Sequence, residues 1–188
     1  MLVDNKSSDM YSTYNTHVFS CFTIEQVKEI NKEIKKHIFQ KEPSAKVAKN
    51  TSKIGEFFNV PCFPLMELLH PWLYECQIIN KDVFGYDIDW HFHLDMFNYN
   101  VYGINGEYGF HIDAIGPRKI DLKLTCILNL SEEPYEGGSF FKINEKEEIK
   151  FDSGMGLIFN SLIAHKVTPV TKGERITLTY WGEGPPWR

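Results

Sequence analysis

The chain has 188 residues, of which 43% are hydrophobic and 14% aromatic, and a net charge of −5. That length and apolar share suit one domain with its own core and exclude a disordered chain. The acidic balance argues against a broad nucleic-acid surface, and no stretch is apolar for long enough to span a bilayer, so neither nucleic acid nor membrane is an expected partner.

The first fifteen residues, MLVDNKSSDMYSTYN, are polar and are expected to be loose; they lack the basic start and apolar run of a signal peptide. Cys21, Cys62, Cys76 and Cys126 lie far apart with no CxxC pair, which reads as free thiols in a reducing cytosol and predicts a cytoplasmic protein. Thr23 followed by Gln26 has the form of a capping box. Ile24, Val27, Ile30, Ile34 and Ile38 then recur at helical spacing. The Lys-rich stretch from Gln40 to Lys53 reads as a surface loop. Beyond Pro61, the series Leu65, Leu68, Leu69, Trp72, Leu73, Cys76 and Ile79 predicts a second helix, with a kink or break at Pro71. Residues 16–86 are thus expected to be mostly helical support.

From Asp87 the period changes to two. Trp90, Phe92, Leu94 and Met96 alternate with His91, His93 and Asp95. Short runs follow, separated by turn signals at Gly116-Pro117, Glu136-Gly137-Gly138, Asp152-Ser153-Gly154 and Lys172-Gly173-Glu174. About eight short strands after a pair of helices predict a mainly β protein. Its form is a double-stranded β-helix, the jelly-roll barrel, in residues 87–188, with the helices packed on one sheet and the whole chain as one domain.

Three polar residues stand out within that pattern. His111 and Asp113, in GEYGFHIDA, are two apart on a predicted strand, so their side chains share a face. A third donor from another strand completes a facial triad of two His and one carboxylate, which leaves positions on iron open. His165, entering a late strand, is the best candidate. His93-Leu94-Asp95 repeats the HxD spacing earlier in the chain, but a lone HxD match has a high false-positive rate.

The surroundings separate the two. Tyr102, Gly106 and Tyr108 precede His111; Thr125 to Asn129 and Gly137-Gly138 follow; His165 and Arg175 stand ten residues apart near the end. From about Tyr99 to Trp181 this run resembles the iron(II)- and 2-oxoglutarate-dependent oxygenases, in the prolyl-4-hydroxylase-like branch. The resemblance implies Fe(II) on His111, Asp113 and His165, with 2-oxoglutarate and dioxygen as cosubstrates. It implies formation of succinate and CO2 with hydroxylation of a C–H bond. Peptidyl proline is the first-guess substrate, and a small molecule stays open. Arg175 would grip the distal carboxylate of 2-oxoglutarate through its planar fork. Tyr102 and Thr177 would donate hydrogen bonds to the same cosubstrate. At Asn129 the sequence departs from the family, which often has an aromatic there; Asn129 could donate a shorter-reaching bond, and Thr125 could share the work.

The segments 90–95, 114–119 and 182–188 are candidate substrate-lining regions, because specificity in such barrels resides in the loops at the mouth. Two other readings remain: a cupin-like metal enzyme that does not use 2-oxoglutarate, and a non-catalytic binding module with a relic site.

Overall fold

Side-chain alternation decides the architecture. A strand that is apolar on one face and carries selected polar groups on the other must bury the first and enclose the second. The computed structural model of the protein describes residues 16–38, 40–42, 46–48, 51–90, 95–113, 121–142 and 148–186. The expectations for the first fifteen residues, for His91 and His93, and for the loop 114–119 lie outside the described residues.

In chain order the elements begin with β1 (Thr16–Ser20), α1 (Ile24–Ile34), β2 (Gln40–Glu42), β3 (Lys46–Ala48), β4 (Thr51–Ile54), β5 (Glu56–Pro61) and α2 (Met66–Ile79). There follow β6 (Met96–Tyr102), β7 (Glu107–His111), β8 (Asp121–Asn129), β9 (Glu136–Gly137), β10 (Phe140–Lys142) and β11 (Met155–Asn160). Last come β12 (His165–Val167), β13 (Val170–Lys172) and β14 (Arg175–Gly184). Among the described residues they form a major sheet in the order β1-β11-β8-β14-β6-β5-β2 and a minor sheet in the order β10-β12-β7-β4-β3, with a small β13-β9 pair. Every strand pairing is antiparallel. This is the expected jelly roll.

The major sheet has two distinct faces. Leu124, Cys126 and Leu128 of β8, Ile176, Leu178 and Tyr180 of β14, and Phe97 and Tyr99 of β6 form one core with the helices. Val27, Ile30 and Ile34 of α1 and Leu69, Trp72, Leu73 and Cys76 of α2 cover them. The alternate residues, among them Thr125, Arg175, Thr177, Asn100 and Tyr102, point into the barrel and meet the minor sheet. A second apolar cluster inside the barrel joins Ile127, Leu157 and Phe159 of the major sheet to Phe140 and Val167 of the minor one.

α1 starts as its sequence predicts. Gln26 N–H donates to Thr23 Oγ1 and Thr23 N–H to Gln26 Oε1, the reciprocal pair of a capping box. A polar bolt ties it to the sheet: the buried Asn31 amide donates to the Leu130 carbonyl (2.8 Å) and accepts from Tyr99 Oη (3.0 Å).

Two local expectations are narrowed: of the kink or break expected at Pro71, the break does not occur. α2 runs unbroken from Met66 to Ile79 with Pro71 inside it. The acceptor that loses its donor to Pro71 is the carbonyl of Glu67, an exposed residue, so water can replace the missing bond. Within Gln40 to Lys53, read as a surface loop, the described residues belong to β2, β3 and β4, and strands thus occupy part of the region read as helical support. β5 lies against β6 in a six-residue register from Glu56↔Val101 to Pro61↔Met96, and β1 against β11. Their signal is weak because their strand identity comes from the partner rather than from their own period.

Candidate active site

The site forms where β7 and β12 run side by side. His111 and His165 are register partners in that ladder, and Asp113 follows just past the end of β7. His111 Nε2 is 3.5 Å from Asp113 Oδ1, and His165 Nε2 is 3.7 Å from Asp113 Oδ2. One ligand atom from each of the three lies within 4.8 Å of the others. Among the described residues this is the one such group of His, Cys, Asp or Glu.

Hydrogen bonds fix the orientation of both imidazoles. His111 Nδ1 lies 2.8 Å from the Gly109 carbonyl and His165 Nδ1 2.9 Å from the Ile163 carbonyl. A carbonyl only accepts, so each Nδ1 carries a proton, and in a neutral ring Nε2 is then the nitrogen with the lone pair. Aromatic walls hold the rings. Tyr108 stacks on His111 at 3.5 Å between centroids and 8° between planes, while Phe140 and Phe159 flank His165.

Electrostatics complete the donor set. Burial pushes His165 down to about 4, against the pull of Asp113. For Asp113, burial pushes upward, but His111 and His165 beside it and the Thr125 hydroxyl outweigh that and bring the group to about 2. At neutral pH Asp113 therefore stands as a carboxylate and His165 as a neutral imidazole, the forms a divalent cation needs. Thr125 Oγ1 donates to Asp113 Oδ2 at 2.7 Å and lies 2.9 Å from Ser161 Oγ.

A cavity of about 130 Å³ is lined by the triad, and also by Arg175, Tyr102 and Thr177. Arg175 is 1% exposed, and among the described residues its Nε and Nη2 have no hydrogen-bond partner. It is the register partner of Tyr102, whose ring centroid lies 5.4 Å from the guanidinium carbon. A buried guanidinium without an anion is costly, so this end of the cavity fits a carboxylate. Burial raises the Tyr102 phenol to about 12 despite the opposing Arg175 charge, leaving it a neutral donor. The Thr177 hydroxyl receives Asn100 Nδ2 at 3.4 Å and keeps its own proton to give.

Asn129 is the exception among the predicted residues. Its amide donates to the Phe151 carbonyl at 2.8 Å and accepts from Ser131 N–H at 3.0 Å. It borders a different and larger cavity, about 690 Å³, which shares only Phe140 with the lining of the triad's own. Size therefore does not mark the site here; the converging polar groups do. Asp95, from the earlier HxD, accepts from Tyr180 Oη at 2.8 Å.

The sequence reading did not single out Ser161, Asn100 or Trp181, all at the triad or its cavity, nor Lys53, which shares that cavity and lies 4.0 Å from the Phe57 ring centroid. Asn100 shows one usable signal, a polar residue on the barrel-facing period of a core strand. A third cavity, about 270 Å³, reaches Asp113 and Trp181 and is also lined by Asp95, Tyr180 and Glu183.

Residues 97–183 match the family model described as the 2OG-Fe(II) oxygenase superfamily. The matched segment is thus similar to that superfamily, and it contains His111, Asp113, His165 and Arg175. A PKHD-type hydroxylase of Alteromonas mediterranea is 40% identical over 63 residues, 32% of this chain and 27% of the relative. The chain thus aligns with about a quarter of that relative's length. A Pseudomonas putida prolyl-4-hydroxylase superposes with a TM-score of 0.67 at 16% identity, over 93% of this chain and 95% of the other. A prolyl hydroxylase from Trichoplax adhaerens, in complex with a hypoxia inducible factor peptide fragment, gives 0.66 at 17% identity over 90% and 84%. These two likenesses establish the fold.

Proposed function

We propose that the protein is an Fe(II)- and 2-oxoglutarate-dependent dioxygenase that hydroxylates a C–H bond, with peptidyl proline as the first substrate to try. His111, Asp113 and His165 hold the metal in this reading. Arg175 receives the distal carboxylate of 2-oxoglutarate, with Tyr102 and Thr177 as hydrogen-bond donors beside it. When bound, iron, 2-oxoglutarate and dioxygen supply the oxidising chemistry that ends in succinate, CO2 and a hydroxylated product. The chain contributes position. Its paired strands set the three ligands, its aromatic walls keep water from the imidazoles, and Arg175 fixes which way the cosubstrate lies.

The observation that carries the reading is the buried guanidinium of Arg175, unpaired at Nε and Nη2, in the cavity of the triad. A cupin-like enzyme without 2-oxoglutarate has no use for it. The cavity between Trp181 and Glu183 adjoins Asp113 and is a suitable place for the substrate. A polypeptide is favoured over a small molecule because the Trichoplax adhaerens relative in fold binds a peptide. The four free thiols suit a reducing compartment, so a cytoplasmic location belongs to the same proposal. Among the described residues no helix is long and apolar enough to cross a membrane.

The test is an anaerobic titration with Fe(II) and then 2-oxoglutarate, followed by visible absorption. A weak charge-transfer band should need both additions, vanish in His165→Ala and demand far more cosubstrate in Arg175→Ala. Metal binding without any such band would favour the cupin-like reading, and no metal binding would favour the relic site. Succinate formation with prolyl peptides then addresses the substrate.

A further inference from the structure

We propose that Thr125 and Ser161 form a one-directional hydroxyl relay that holds Asp113 so that its carboxylate offers the metal a single oxygen. The inference rests on the assignment of His111, Asp113 and His165 as metal ligands and deepens it.

Donor accounting sets the direction. An ionised carboxylate only accepts, so the Thr125 hydroxyl donates to Asp113 Oδ2 across 2.7 Å. Thr125 has one proton and has spent it. Its contact with Ser161 Oγ at 2.9 Å is therefore a bond donated by Ser161. Thr125 is 1% exposed and Ser161 0%, so bulk water does not compete for either hydroxyl. Successive bonds of one sense polarise and strengthen each other in such surroundings.

The relay is anchored better than the residue it holds. Thr125 sits mid-strand in β8, with Phe159 of β11 and Trp181 of β14 as its register partners on either side. Ser161 directly follows β11, and its N–H donates to the Lys123 carbonyl at 3.0 Å. Asp113 lies beyond the end of β7, and the terminal torsion of an Asp side chain is intrinsically broad. The relay supplies the restraint that the local backbone lacks.

The consequence concerns coordination number. Oδ2 gives one of its two lone pairs to Thr125 and lies 3.7 Å from His165 Nε2, while Oδ1 faces His111 Nε2 at 3.5 Å and is the less encumbered oxygen. Two imidazoles and one carboxylate oxygen leave three positions on a six-coordinate ion, enough for a chelating keto acid and dioxygen. A carboxylate binding through both oxygens would occupy one of them. Thr125 and Ser161 are thus positioning residues, acting through Asp113.

Co(II) serves as the probe, because its visible d–d bands report coordination number. Affinity and spectrum are measured without oxygen for the parent, Thr125→Val, Thr125→Ser, Ser161→Ala and His165→Ala. Thr125→Val should weaken Co(II) binding about 10-fold or more and alter the d–d bands, while Thr125→Ser stays within about 2-fold with the parental spectrum. Ser161→Ala should fall between them. Parental affinity and bands in Thr125→Val overturn the relay. So does a folded Thr125→Ser that is as weak as Thr125→Val, since the methyl packing would then be what matters. Should Thr125→Val fail to fold, Ser161→Ala decides: altered bands support the relay, and parental bands overturn it. Failure of the ligand assignment looks different: the parent binds no Co(II), or His165→Ala binds it as tightly as the parent, and the relay falls with the triad.

Discussion

His111 and His165 face each other as register partners across β7 and β12. Strand pairing, more than any loop, therefore sets the distance between two of the three candidate metal ligands. Either imidazole alone leaves an incomplete donor set. His111→Ala and His165→Ala should each abolish tight Fe(II) or Co(II) binding, and the double variant should be no worse than either single one. Calorimetric titration of the three proteins checks this non-additivity, which is expected of residues that act as a unit.

Arg175 should matter in opposite directions with and without cosubstrate. Arg175→Met removes an unpaired buried charge, so the metal-free protein should gain stability or hold it. The same change should weaken 2-oxoglutarate binding by about 3 kcal/mol, on the order of 100-fold, as for loss of one partner of a buried charged pair. Thermal melts with and without 2-oxoglutarate read both effects, because saturating ligand raises the parental midpoint by mass action.

Gly138 carries a prediction specific to that end of the cavity. Its φ is +60°, and a Cβ there would lie 2.9 Å from Arg175 Cδ and 3.0 Å from Val170 Cγ2. Gly138→Ala should displace the guanidinium, raising the dissociation constant for 2-oxoglutarate while leaving Co(II) affinity unchanged. Titration of each ligand separately distinguishes this from general unfolding.

The metal-free protein should lose stability as the pH falls from about 6.5 to about 4 through His165. The folded value lies near 4 and the ordinary one is 6.5, so the unfolded chain takes up the proton first and protonation favours unfolding. The loss should be about 3 kcal/mol at most. Asp113, ordinarily 3.8 and held to about 2, extends the loss below pH 4 for the same reason. Urea midpoints at pH 7, 5 and 4 measure it, and His165→Gln should flatten the upper part of the curve.

Asn31 joins α1 to the barrel by side-chain bonds to Leu130 and Tyr99. Asn31→Leu leaves a buried carbonyl and phenol unpaired and should cost about 2 kcal/mol of stability. Co(II) affinity should not change, because the residue lies on the helix side of the sheet. Chemical denaturation and metal titration together check the separation.

The amino-acid sequence determined those features whose cause is local or periodic. Thr23 and Gln26 announce the start of α1 because a capping box spans one turn of chain. Alternation along β8 and β14 separates helix-facing from barrel-facing residues because a strand has a period of two. Spacing offered His111 with Asp113, and the family resemblance joined His165 and Arg175 to them; all four line one cavity. Only the tertiary structure decided β1, β2 and β5, which are strands through their partners, and the unbroken course of α2 past Pro71. It also decided where hydrogen bonds go. Asn129 and Thr125 both face inward from β8, yet the first is tied to the Phe151 loop and the second to Asp113. A polar side chain carries its donors and acceptors in its identity, but its partner is whatever the fold sets within about 3 Å of it.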